Sequence, residues 1–191
     1  DSSTIGGGSR DTITGRSSTI GGGTDNLITG NFSTNGGGQL NDILLSDSAT
    51  IGGGTHNTIE ANSDASTIGG GLDNTVSTSA VASSIGGGRL NTVTTTTLYG
   101  TISGGERNTI NNSDTTTVGG GSKNSILDES DASTIGGGID NTVTTSAVAS
   151  SIGGGRSNTI QTTSFYATIG GGQLNTITDA DSTTIAGGAS N

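Results

Sequence analysis

With 191 residues, 37 glycines, no cysteine and a formal net charge of -10, this chain excludes several classes at once. It can form neither disulfides nor thiolate metal sites, and it has no cluster of Lys and Arg that could displace counterions from a nucleic acid. At 26% hydrophobic it is too poor for a thick core, yet only 12% is charged and its apolar residues fall at fixed intervals, which argues against disorder.

The first element is Ser3-Thr4-Ile5, followed by Gly6, Gly7 and Gly8 and then, eight positions after Ile5, by Ile13. The unit recurs along the whole chain. Ile5, Ile20, Asn35, Ile51, Ile68, Ile85, Ile102, Val118, Ile135, Ile152, Ile169 and Ile185 mark twelve copies, spaced 15 to 17 residues apart. In eleven of them a second apolar residue follows at +8, from Ile13 to Ile177. All the length variation lies after that residue, so the eight-residue arc is the rigid part and the rest is a tolerant loop. Self-similarity at such a period points to a solenoid.

Two short β-favouring arms, T-I and N-T-I, flank each glycine cluster, and neither is long enough for a helix. Alternation then sets directions. With Ile135 inward, Ser133 also points in while Thr134 and Gly136 point out; on the second arm Asn141 and Val143 point in and Thr142 and Thr144 out. The expected fold is all-β: a parallel β-solenoid (β-roll) of about twelve coils, with a thin Ile/Val core and an Asn ladder. Its rise is about 4.8 Å per coil, for a length of roughly 55–60 Å.

The second and third glycines of the cluster, such as Gly137 and Gly138, occur in all twelve copies, as a sharp reversal with positive φ requires. The first becomes Ser103 and Ala186, so size rather than backbone angle limits it. Asn follows in eleven copies, with Asp11 in the first. Stacked amides there can bond from coil to coil and satisfy turn backbone.

A longer period overlies the coils. Residues 64–94 recur at 131–161, an offset of 67 residues or four coils, and the same offset links Phe32, Tyr99 and Tyr166. The single domain, 1-191, thus divides into three four-coil blocks, approximately 1-63, 64-130 and 131-191. Neither end carries a polar capping copy of the kind solenoids use for solubility. Two expectations follow: a cut from a longer repeat tract, or end-to-end stacking that places Asn191 near Asp1 of the next copy.

Catalytic signals are weak. His56 is the one histidine and occupies a variable turn, and no G-x-S-x-G elbow or Ser/His/Asp set recurs. The glycine clusters lack the Lys and long helix of a phosphate loop. No enzyme activity and no cofactor are expected. GGGTDN, GGGLDN and GGGIDN resemble part of a calcium nonapeptide through Asp25, Asp73 and Asp140, but at the wrong period. Asp47 with Asp64, and Asp114 with Asp131, occupy matching loop positions on adjacent coils. Like charges so placed repel, so the loops splay into solvent, or a calcium-type cation sits between them. In the alternate coils the position holds Val81 and Leu98, then Val148 and Phe165, with Tyr99 and Tyr166 alongside. These six form either a local mini-core under the loop or a contact stripe for neighbouring subunits.

The outward residue before each glycine turn is a hydroxyl: Thr4, Thr19, Thr50, Thr67, Thr101, Thr117, Thr134, Thr168 and Thr184 among others, with Ser84 and Ser151. Thr suits strands in any case because it is β-branched. Flat Thr arrays on thin β-solenoids also resemble the surface of several ice-binding proteins, which makes this ladder the basis of an alternative reading.

Over the entire chain, S-T-I-G-G-G-x-x-N-T-I resembles repeats of bacterial and phage surface-fibre proteins. It is broadly similar to the head repeats of trimeric autotransporter adhesins, which build β-rolls from short S-x-A-I-G units. No functional residue carries over. The resemblance implies an extracellular structural repeat protein at a cell or virion surface, serving as a fibre or filament subunit or adhesin shaft. Its expected partners are copies of itself, end to end or lateral, and cell-surface or host glycans, with hydroxyls open to O-glycosylation. Nucleic acid is not an expected partner. No apolar run approaches membrane-spanning length, so membrane insertion is not expected either. No signal peptide opens the chain, so an exported form has lost its targeting segment or carries it outside this sequence.

Overall fold

A two-residue strand cannot persist alone; it holds here because each is hydrogen-bonded to the coils before and after it. The computed structural model, which describes residues 2–191, is a parallel β-solenoid. Twelve two-residue strands, Thr4–Ile5 through Thr184–Ile185, stack in chain order into one sheet. Eleven strands of two or three residues, Thr12–Ile13 through Thr176–Thr178, stack into the second. The result is eleven full turns and the start of a twelfth. Pairing is parallel and in register, so Ile85 lies over Ile68 and Ile102 over Ile85. A third line of single bridges, Ser9 to Thr24 and onward to Ala189, follows the glycine corner.

The inward columns are as alternation requires. Ile135, Ser133, Asn141 and Val143 are fully buried, while Thr134 and Thr142 face out. Two aliphatic columns form one continuous core from Ile20 to Ile177. Such a core is only two side chains wide, so the rest of the interior is small or polar, and its polar groups must be paired. Asn124 illustrates the pairing. Its Nδ2 donates to Gly120 O at 2.8 Å and to Gly138 O at 3.0 Å, while its Oδ1 accepts the N–H of Asn141 at 3.1 Å. Asn35 replaces an Ile in the core without an orphan group. Its Nδ2 donates to Asn41 O at 3.0 Å, and its Oδ1 accepts Gly37 N–H at 3.0 Å.

Asp11 is the exception in the amide column. Its Oδ1 accepts Asn26 N–H at 2.9 Å, but its Oδ2 is buried with no hydrogen-bond partner. In the other coils that place belongs to an N–H₂ donating to glycine carbonyls.

The loop is more ordered than its variable length suggests. Two further inward columns of small residues line it. One runs through Ser66, Ser83, Ser133 and Ser150, the other through Ser46, Ser63, Ser130 and Ser164. Each hydroxyl both gives and takes: Ser133 Oγ donates to Ala147 O at 2.8 Å and accepts Ser150 N–H at 3.0 Å.

The third glycine of each cluster has φ between +82° and +116° in all twelve copies. A Cβ there would lie 2.1–2.3 Å from a carbonyl oxygen of the next coil wherever one follows. Positive φ for the second glycine holds in eight copies only; Gly104, Gly154, Gly171 and Gly187 lie outside that range. The first glycine is limited by space, as expected, since its Cβ would meet the next coil's carbonyl at 2.3–2.6 Å where coils stack glycine on glycine. The chain also turns through positive φ without glycine, at Leu90, Tyr99, Ala149 and many others.

Candidate functional site

The solenoid offers two flat faces and two edges. On the first face the hydroxyl column stands in register: Thr4 against Thr19, Thr50 against Thr67, Thr101 against Thr117 and Thr168 against Thr184, with Ser84 and Ser151 in the same line. It is a single rank, because the next outward residue is the first glycine. The second face carries two outward ranks, complete as Thr pairs at Thr12/Thr14, Thr92/Thr94, Thr142/Thr144 and Thr176/Thr178. Leu27, Asp42, Glu60 and Leu127 interrupt them. Burial pushes the Asp42 carboxyl above its ordinary value, against the opposing pull of the nearby His56.

On the loop edge the acidic pairs are tied to the backbone of the neighbouring coil. Asp64 Oδ1 accepts the backbone N–H of Asp47 at 2.8 Å, and Asp131 Oδ1 accepts that of Asp114 at 2.7 Å. Asp47, Asp114 and Asp181 do the same for Asn31, Leu98 and Phe165. Each carboxylate therefore caps the turn of the coil before it, and that bond offsets the repulsion between neighbours. Asp114, Glu129 and Asp131 also line a shallow cleft of about 420 Å³ with Thr96, Asn112, Ser146 and Val148. Among the described residues no three or more His, Cys, Asp or Glu side chains are arranged to hold a metal ion.

None of the six apolar loop residues joins the buried core. Val81 and Val148 are half-buried, Leu98 and Phe165 are 38% and 37% exposed, and Tyr99 and Tyr166 are 62% and 68% exposed. Phe32, in the tyrosine column, is 64% exposed. These side chains lie along the surface rather than beneath the loop.

At the glycine edge, charged residues pair from coil to coil. Arg10 grips Asp25 with two N–H groups, a hydrogen bond that holds the Asp25 carboxyl below its ordinary value. His56 Nδ1 lies 2.5 Å from Asp73 Oδ1, and Glu106 bridges Arg89 and Arg107. Two of the three calcium-like Asp residues, Asp25 and Asp73, thus face cationic or ring-nitrogen partners.

Folding sorts the charge in a way the linear sequence conceals. The loop segments hold nine carboxylates, at positions 47, 60, 64, 114, 128, 129, 131, 179 and 181, against Arg16 alone. The glycine arcs hold Arg10, Arg89, Arg107, Lys123 and Arg156 against Asp11, Asp25, Asp42, Asp73, Glu106 and Asp140. One edge is strongly acidic and the other nearly balanced. Grouping charges by arc or loop before adding them would have exposed this.

No family model matches the chain, and no curated protein matches it. Asp1, which the end-to-end expectation pairs with Asn191, lies outside the described residues.

Proposed function

We propose that this chain is an extracellular structural repeat protein: a fibre or filament subunit, or an adhesin shaft, akin to bacterial and phage surface-fibre repeats. The observation that carries this reading is the unbroken stacking of both sheets, twelve and eleven strands in strict chain order. Every coil is tied to its neighbours by backbone and interior side-chain bonds, the arrangement a stiff spacer needs. The acidic, Ser/Thr-rich surface with a single Lys suits exposure outside a cell, with hydroxyls available for glycan contact or attachment. Electron microscopy of the purified chain tests the proposal. Long rods or filaments are expected, and compact particles that never associate count against it.

Ice binding remains the second reading, favoured by the in-register, outward Thr column of the first face. It predicts thermal hysteresis or inhibition of ice recrystallisation. Replacing Thr67, Thr101 or Thr134 with a bulky residue then removes that activity; indifference to all three removes the idea.

A further inference from the structure

The two edges differ in charge, yet each exposes apolar side chains. Phe32, Tyr99 and Tyr166 stand out from the loop edge, and Leu72, Ile139 and Leu174 from the glycine edge. Exposed apolar groups set among charges are what protein interfaces are built from. Two loop edges cannot meet face to face, because each carries eight carboxylates against one Arg, Glu60 lying on the second face. The glycine edge holds five cations against four outward carboxylates, Asp11 lying in the amide column and Asp42 on the second face, and among the described residues Lys123 and Arg156 have no ion-pair partner. Eleven coil spacings at about 4.8 Å make an edge about 50 Å long. An interface of standard size, about 800 Å² per partner, needs a strip about 16 Å wide along it.

We infer that a second copy of this chain docks sideways, its glycine edge against the loop edge of the first. The inference rests on the fibre reading and deepens it by naming partner and surfaces. The contact is heterologous, since two different surfaces meet, and every added copy leaves one free edge of each kind. Such a contact builds an open ribbon rather than a closed dimer.

Two variants, each blocked on one edge, test this. The loop-edge variant carries Tyr99→Ser and Tyr166→Ser, in a column that already holds Ser17 and Ser48. The glycine-edge variant carries Lys123→Asp, Ile139→Ser and Arg156→Glu, matching residues such as Asp140, Ser122 and Glu106 in the same columns. Sedimentation velocity across a range of concentrations is expected to show the unmodified chain growing past dimer. Each variant alone should associate at least about tenfold more weakly. Their equimolar mixture should stop at dimer, because one intact edge of each kind remains.

An unmodified chain that stays monomeric overturns the inference, as does either variant assembling undiminished or a mixture that never dimerises. Microscopy separates this failure from that of the fibre reading. Rods that lengthen at single width defeat only the lateral contact, whereas isolated particles about 50 Å long defeat both.

Discussion

Each coil turns twice by different means. At the glycine corner φ reaches +93° at Gly138, and a Cβ there would sit 2.2 Å from Gly155 O and 2.6 Å from the Asn141 amide. At the loop corner Ala132 and Ala149 turn through φ near +55° with their side chains in place. The left-handed region costs an L-residue about 1–2 kcal/mol, and bonds such as Ala149 N–H to Asp131 O at 2.8 Å help to hold it there. Crowding by the next coil therefore restricts the first and third glycines, whereas a backbone angle near +55° alone does not fix residue type. This is why one arc repeats almost letter for letter while the other varies in length and composition. The second glycine, invariant without crowding, is explained by neither.

The sharpest way to break the comparison is Gly138→Ala. It combines overpacking with a disfavoured backbone angle and should destabilise by about 3–5 kcal/mol, read as a fall in urea midpoint. The loop corner already has alanine at Ala149 with no such penalty. Next is Asn124→Ala, which leaves the carbonyl of Gly120 and the N–H of Asn141 unpaired and takes one of two donors from the carbonyl of Gly138. A loss of about 2–4 kcal/mol is expected. Ser133→Ala should cost only about 1 kcal/mol, since Ala49 and Ala167 occupy that column.

Asp11→Asn works in the opposite direction. It gives the orphaned position an N–H₂ and should raise stability by about 1–2 kcal/mol, seen as a higher melting temperature. Thr115→Gly relieves a β-branched residue at φ +55° and should gain up to about 1 kcal/mol, net of the entropy glycine adds to the unfolded chain.

The smallest effect is Asp42→Thr. Because burial raises the Asp42 carboxyl in the folded state, the native form holds its proton more tightly than the unfolded one. Its favourable contribution is then complete below the ordinary value of about 3.9 and is lost as pH rises through the raised value. The variant should gain a few tenths of a kcal/mol at pH 7 after allowance for solvent screening. That gain should vanish in acid, as melting curves at the two pH values can show.

The period, both arms, the glycine arc and the amide ladder were legible because each repeats a residue type demanded by packing. The loop was not. Its corners need no glycine, so Tyr99 or Ala149 at positive φ leaves no compositional mark. Of its inner serines, the column of Ser133 follows from alternation, whereas that of Ser130 is legible only once the loop is aligned from both ends, which the variable spacing discourages. The bonds of Asp64 and Asp131 were not legible in the sequence because a carboxylate bound to a backbone N–H one coil away leaves no local trace. The division of charge between edges is legible only when charges are grouped by arc and loop before they are added.

The interior side-chain bonds between coils join residues only 12 to 17 positions apart, so each coil answers to its immediate neighbours and to nothing farther. Duplicating or deleting whole turns then leaves every remaining contact intact. The 67-residue offset between two nearly identical stretches is the imprint such copying would leave. Reach becomes a heritable quantity adjustable in steps of one coil, with no redesign of what lies on either side.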